Sequence, residues 1–195
     1  MDAIFDRVVR EFFPNTTIPF WKKWLFRTAF GNKVFSRLIY NERLVNKNGV
    51  EWVNAVVELL ELKCESEYHQ FNNIPEHGAT VVISNHPTVI DGLSLIHTVS
   101  RVRSDIKIIA NHVLPIIFPQ VSELTIGIEN MAGKMSHKKF REMNDHLRKG
   151  GVLIICPAGK LANWSLSGLQ EHKWNPGFLQ LAGFVNGMVA SHLLC

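Results

Sequence analysis

A histidine and an aspartate five positions apart are the residues best suited to chemistry here: His86 and Asp91, just after the apolar run Thr80–Ser84. An imidazole at a strand end can act as a general base when a carboxylate holds its other ring nitrogen. Residues five apart do not share a helical face, so His86 must precede the helix. Pro87 favours this, because proline suits a first helical turn and keeps the preceding residue extended. Asp91 would then lean back toward His86.

Two simpler interpretations of the pair stay open. Asp91 would serve as the N-cap of a helix that starts at Gly92, and His86 would be an ordinary loop histidine with its hydrogen bonds satisfied. The context favours the catalytic interpretation, because Asn85 and Pro87 flank the histidine between a strand and a helix.

The elements around the pair alternate between strand and helix patterns, which predicts an α/β fold: a largely parallel sheet flanked by helices, after an N-terminal helical amphipathic segment. Strands are predicted at Thr80–Ser84, Ile106–Ala110, Leu124–Ile128 and Val152–Cys156. Helices are predicted at Asn48–Phe71, Thr88–Val102, Ser136–Lys149 and Phe178–Val189, with a loop or short helical turns over His112–Glu123. Ligand sites in such sheets lie at the carboxyl ends of strands. His86 and Pro157-Ala158-Gly159 both follow such ends.

Composition narrows the class of protein. A chain of 195 residues is most simply one domain with a sizeable core. The net charge of +4 suits an anionic partner. Three cysteines without CxxC or zinc spacing indicate a reducing compartment and no metal site. We expect no secretory signal and no membrane span, so that membrane contact would be peripheral.

The segment at 15–41 combines basic and aromatic residues and has no acidic residue. Its aromatic members include Trp21 and Trp24, next to Lys22 and Lys23. This pattern is typical of a helix at a lipid headgroup boundary. A core-packing helix with a solvated basic face fits the segment equally well. Nucleic-acid binding is disfavoured, because the aromatics cluster in this segment and not along a strand platform.

Four blocks together resemble the glycerophospholipid (lysophospholipid) acyltransferase superfamily, in its hemolysin-like branch. The first is the NHxxxxD pattern in Ser84–Gly92, and the second region is Ile109–Ile128. The third is Gly150–Lys160, in which CPAG stands where FPEG is the commoner form. The fourth is Trp174–Ala182, similar to W-x-PGF-x-x-LA. The resemblance covers roughly residues 70–185.

The resemblance implies transfer of a fatty acyl group from acyl-CoA or acyl-carrier protein to an acceptor hydroxyl, without a metal or other cofactor. It makes His86 the general base and Asp91 its orienting partner. Substrate-binding residues would be Asn85 and the third-block residues Pro157, Ala158, Gly159 and Lys160. The partners would be the acyl thioester and a lipid acceptor, at the cytoplasmic face of a membrane, with no nucleic acid involved.

Three departures from the family pattern bear on this reading. Ala158 replaces the glutamate of the commoner third block, and the second block lacks its usual arginine, although Lys134 is near. Gly187–Cys195 does not resemble the proline-containing strand block with which the family continues. We therefore expect an N-terminal helical or membrane-surface segment at 1–70 and an acyltransferase domain at 71–195, shortened at its C-terminus. Two alternatives follow: an amino-acid-type, non-glycerol acceptor, or an inactive truncated remnant that binds lipid or membrane.

Overall fold

A computed structural model describes residues 41–62, 73–86, 90–129, 136–165, 168–184 and 187–191. The contacts within the chain divide it into two compact units, Met1–Asn48 and Gly49–Cys195. In the first unit, the described residues form a turn in which the Leu44 N–H donates to the Asn41 carbonyl at 2.9 Å. The amphipathic segment predicted at 15–41 lies almost wholly outside the described residues.

The second unit is built on a parallel sheet. Its strands are β1 (Thr80–Ser84), β2 (Ile106–Asn111), β3 (Thr125–Ile128) and β4 (Val152–Ile155), with a hairpin of β5 (Asn163–Ser165) and β6 (Gly168–Gln170), and finally β7 (Gly187–Ser191). Within the described residues, five of these strands form one sheet in the order β3-β2-β4-β1-β7, and every pairing is parallel. The predicted α/β fold is confirmed, and the four predicted strands are present to within a residue or two at their ends.

Helices cover the sheet. They are α1 (Gly49–Leu59), α2 (Asp91–Val99), α3 (Leu114–Ile117) and α4 (His137–Arg148), with 3-10 helices at Pro119–Leu124 and Pro176–Phe184. The Ser136 hydroxyl caps α4 by accepting from the Lys139 N–H at 3.3 Å. At its other end Gly150 takes a left-handed φ of 87°, and its N–H donates to the Leu147 carbonyl. Glycine enters this conformation without a steric penalty, so α4 ends at Arg148, one residue before the predicted end at Lys149.

The strands send alternate side chains to the two faces of the sheet. Val81, Ile83, Leu153 and Ile155 belong to a buried cluster that also contains Met143 and Leu147 of α4 and Leu181 of the second 3-10 helix. On α2, a Cβ added at Gly92 would lie 3.3 Å from the Ile108 side chain of β2. The sheet is therefore the middle layer, with α4 on one face and α2 on the other.

The C-terminal segment differs from its predicted form. A helix over Phe178–Val189 was predicted, but the structure has the 3-10 helix Pro176–Phe184 followed by β7, so that prediction is wrong. All five residues of β7 pair with β1, from Thr80 with Gly187 to Ser84 with Ser191. Pairing along an open strand edge outweighs a weak local helical pattern. Gly187–Ser191 therefore forms a strand beside β1, although its sequence does not resemble the family's proline-containing strand block.

The amino ends of the strands are tied together by Arg103, which is 6% exposed. Its guanidinium donates to the carbonyls of Pro75, Gly78 and Gly150 at 2.6–3.1 Å and to both carboxylate oxygens of Asp105. Hydrogen bonds with a charged partner are among the strongest in proteins. One side chain thus links the segments that enter β1, β2 and β4, at the end of the sheet away from His86.

Candidate active site

His86 and Asp91 meet at the carboxyl end of β1. The distance from His86 Nδ1 to Asp91 Oδ2 is 3.2 Å. The Asp91 side chain is fully buried, while the His86 side chain is 23% exposed. The predicted pairing is therefore present, with the carboxylate on the protein side of the ring and part of the imidazole open to solvent.

Helix α2 explains how a spacing of five residues brings the two side chains together. The helix begins at Asp91, so His86 precedes it, as the prediction required. Ile90 is the N-cap and makes no side-chain cap hydrogen bond. The alternative in which Asp91 is the N-cap is therefore wrong, as is the predicted extent of Thr88–Val102 for the helix. An acidic group in the first turn also interacts favourably with the helix dipole. Pro87, on which that prediction relied, lies outside the described residues.

The turn after β4 lies beside this pair. The Gly159 N–H donates to the Cys156 carbonyl at 3.0 Å, and Gly159 has a left-handed φ of 62°. A residue with a Cβ would be strained in that conformation. Pro157 is buried, Ala158 and Gly159 are half-buried, and Lys160 is exposed. Strands β1 and β4 are neighbours in the sheet, so the predicted third-block residues follow the strand next to His86.

Two backbone hydrogen bonds tie the segment after β4 to the site. The Ala162 N–H donates to the His86 carbonyl at 3.0 Å, and the Asn175 N–H donates to the Pro157 carbonyl at 3.0 Å. The β5–β6 hairpin lies between these two ties. Sequence reasoning missed Ala162 as a partner of His86, and no signal in the sequence marks it, because any residue except proline can supply a backbone N–H.

The thiol of Cys156 lies within electrostatic reach of the pair. Burial, followed by the carboxylates of Asp91 and Glu171, raises the pKa of this thiol to about 12. A thiol with so high a pKa is not a nucleophile at neutral pH, because the thiolate is the reactive form. Cys156 itself is half-buried, at the start of the turn after β4.

Asn85, predicted to bind substrate, is 4% exposed, and its Oδ1 lies 3.2 Å from the Ser84 hydroxyl that donates to it. Its amide side chain is thus buried in this structure. Metal chemistry gains no support from geometry: in the described parts of the chain, no group of three or more His, Cys, Asp or Glu side chains is placed to hold an ion. No helix in the described ranges is long and apolar enough to cross a membrane.

A family model described as Acyltransferase matches residues 65–189, well over half of the chain. The chain belongs to this acyltransferase family. The match includes His86, Asp91 and the turn after β4, so the paired side chains lie inside the acyltransferase domain. Comparison with curated proteins and with solved structures gave no match to the chain. Acyl transfer in general is thus the activity of the domain that holds the candidate site.

Proposed function

We propose that the protein transfers a fatty acyl group from an acyl thioester, acyl-CoA or acyl-carrier protein, to the hydroxyl of a lysolipid or related acceptor. The observation that carries the proposal is the contact between His86 Nδ1 and the buried carboxylate of Asp91 at 3.2 Å. An ionised carboxylate can only accept hydrogen bonds, so the contact keeps a proton on Nδ1. The lone pair on Nε2 is then available to a substrate.

The reaction follows from this tautomer. His86 Nε2 takes the proton from the acceptor hydroxyl while the oxygen attacks the thioester carbonyl carbon. The tetrahedral oxyanion collapses, the C–S bond breaks, and the sulfur leaves with the proton that His86 held. Asp91 stabilises the imidazolium between the two steps. The protein forms no covalent acyl intermediate in this scheme, which agrees with the protonated state of the Cys156 thiol.

The turn after β4 is the proposed site of the acceptor headgroup. Pro157, Ala158 and Gly159 follow the strand beside β1, and Gly159 brings backbone without a side chain to this edge. Asn85, which is 4% exposed, and Lys160, which is exposed, are the other proposed substrate-binding residues. Within the family, the hemolysin-like branch is the proposed placement, on the resemblance of the second-block region Ile109–Ile128 and of the third block Gly150–Lys160.

An amino-acid-type acceptor is a second candidate, favoured by the charges near the end of β4. The carboxylates of Asp91 and Glu171 both raise the pKa of the Cys156 thiol, so negative charge surrounds this position. Ala158 also stands where the commoner third block has glutamate. A headgroup with an ammonium suits such surroundings better than a bare phosphate.

Release of free thiol from acyl-CoA or acyl-carrier protein tests the proposal, with lysophosphatidic acid and a lyso amino-acid lipid as acceptors. We expect His86→Ala to lower kcat by at least about a hundredfold, because the general base is lost. Asp91→Asn should lower kcat strongly as well, since an amide holds the ring less firmly. The ratio of kcat/KM for the two acceptors decides between the acceptor classes.

The matched control is His77→Ala, an exposed histidine before the amino end of β1, which should leave kcat unchanged. A protein that binds liposomes but releases no more thiol than His86→Ala with either acceptor would contradict the proposal. That result would identify the chain as a lipid-binding remnant. The proposed place of action is the cytoplasmic face of a membrane, in peripheral association.

A further inference from the structure

Helix α2 carries a buried polar stripe, formed by Asp91, Ser94 and Thr98. The three residues are 0%, 0% and 6% exposed. Residues three and four apart lie on one face of a helix, so the stripe continues from the carboxylate that contacts His86. Buried polar side chains almost always have hydrogen-bond partners, so we expect each member of the stripe to have a partner.

Two members of the stripe have partners in the structure. Asp91 contacts His86, and the Thr98 hydroxyl donates to the Ser94 carbonyl at 2.8 Å. The Ser94 hydroxyl is buried and makes no hydrogen bond to any residue that the structure describes. An unsatisfied buried hydroxyl lowers the stability of a fold, and an alanine at position 94 would avoid this loss.

The direction of the serine side chain points to its use. Side chains on a helix lean toward its N-terminus, onto the turn three and four residues before them. For Ser94 that turn contains Ile90, whose carbonyl already accepts from the Ser94 N–H at 3.1 Å, and Asp91. The only side chain of that turn able to accept a hydrogen bond is the Asp91 carboxylate, because isoleucine has no polar atom.

We propose that Ser94 is a positioning residue for the catalytic pair: its hydroxyl donates to the Asp91 carboxylate, directly after rotation about χ1 or through one bound water. The carboxylate is then fixed from the helix side while it holds His86 Nδ1. Ser94 touches neither substrate nor reacting atoms, and it acts through Asp91. This inference rests on the proposed function, in which His86 is the base.

The first test is the kinetics of Ser94→Ala in the full-length protein, with the same thiol-release assay. We expect kcat to fall about tenfold, because a hydrogen bond to a charged group that must stay oriented is lost. The KM for the acceptor should stay within about twofold, since Ser94 does not touch the substrate. The matched control is Thr98→Ala on the same stripe, whose hydroxyl is satisfied by a backbone carbonyl. It should leave kcat within about twofold of the parent chain.

A double-mutant cycle separates positioning from a structural role. If Ser94 acts through Asp91, Ser94→Ala should have little further effect on kcat in an Asp91→Asn background. A purely structural serine would lower kcat by the same factor in both backgrounds. That additive result, or full activity of Ser94→Ala, would overturn the inference. Should Ser94→Ala fail to fold, Ser94→Cys keeps the volume, loses the strong donor and is judged by the same two outcomes.

The parallel His86→Ala variant distinguishes a failure of the proposed function from a failure of the role proposed for Ser94. Full activity of His86→Ala refutes the proposed function itself. An inactive His86→Ala together with a fully active Ser94→Ala leaves the proposed function intact and removes only the role of Ser94.

Discussion

At the scale of single residues, His86 and Asp91 differ in burial, and this difference decides which ring nitrogen can reach a substrate. The carboxylate of Asp91 is fully buried, and the ring of His86 is 23% exposed. Solvent screens the interaction between the two side chains only weakly, because the acid is buried. The orientation of the ring is thus set from within the protein, while its other nitrogen is left to the substrate.

The neighbouring thiol of Cys156 gives a prediction for stability against pH. Burial raises its pKa to about 12, above the ordinary value of 9.0, so the folded protein favours the protonated thiol. The unfolded chain releases this proton first as the pH rises, and stability is lost above about pH 9 and progressively toward pH 12. Cys156→Ala lacks this contribution. The stability difference between the parent chain and the variant should therefore shrink between pH 8 and pH 10.

Urea unfolding at several pH values measures this difference directly. Lysine and tyrosine groups also titrate in this range, but they do so in both proteins and cancel in the comparison. A difference that stays constant from pH 8 to pH 10 would contradict the assignment of a buried, protonated thiol.

At the scale of elements, glycine at Gly127 in β3 allows a close approach of backbone. A Cβ at this position would lie 2.9 Å from the Cα of His112, whose N–H donates to the Ile128 carbonyl at 3.1 Å. The obstacle is backbone, which cannot rotate away as a flexible side chain does. We expect Gly127→Ala to lower the free energy of unfolding by about 2 kcal/mol, as overpacking in a core does.

Gly183→Ala is the matched control for that substitution. Among the described residues, apart from the two chain neighbours, no atom lies within 4 Å of a Cβ built at Gly183, in the second 3-10 helix. Chemical denaturation of both variants should show a loss for Gly127→Ala alone. Equal midpoints for the two variants would mean that β3 and the segment after β2 separate without penalty.

The strands also show which parts of the fold can be predicted from the sequence. Strands β1 and β4 were predicted because each is a continuous apolar run bounded by turn residues, which is local information. The contact between His86 and Asp91 was predictable because both residues flank one strand–helix junction. The strand β7 was not, because it depends on pairing with β1, more than 100 residues away in sequence. The tie from Ala162 to His86 was equally hidden, since backbone groups carry no sequence signature.

At the scale of the whole molecule, the two ends of the parallel sheet carry different groups of interactions. The guanidinium of Arg103 holds the amino ends together through backbone carbonyls of three segments. The carboxyl ends carry His86 and the turn after β4, as is general for ligand sites in such sheets. The hydrogen bonds of Arg103 and the candidate site therefore lie at opposite ends of the strands.

Membrane association is a prediction for the whole chain, based on the basic, aromatic segment at 15–41. Replacing Trp21 and Trp24 with alanine should move the protein from the membrane to the soluble fraction, because these rings suit the headgroup boundary. Sedimentation with anionic vesicles measures the change, and neutral phosphatidylcholine vesicles show how much of the binding is electrostatic. Unchanged partitioning of the double variant would reject the interfacial helix and favour the core-packing alternative.

The two backbone ties around the β5–β6 hairpin have a consequence for how the protein can diversify. Both join an N–H to a carbonyl, at Ala162 with His86 and at Asn175 with Pro157, and neither depends on side-chain identity. The sequence of the hairpin between them can therefore vary without breaking either hydrogen bond. We expect a different hairpin over residues 163–170 to leave the contact between His86 and Asp91 in place, whereas Trp174, which packs against the buried cluster, has to stay.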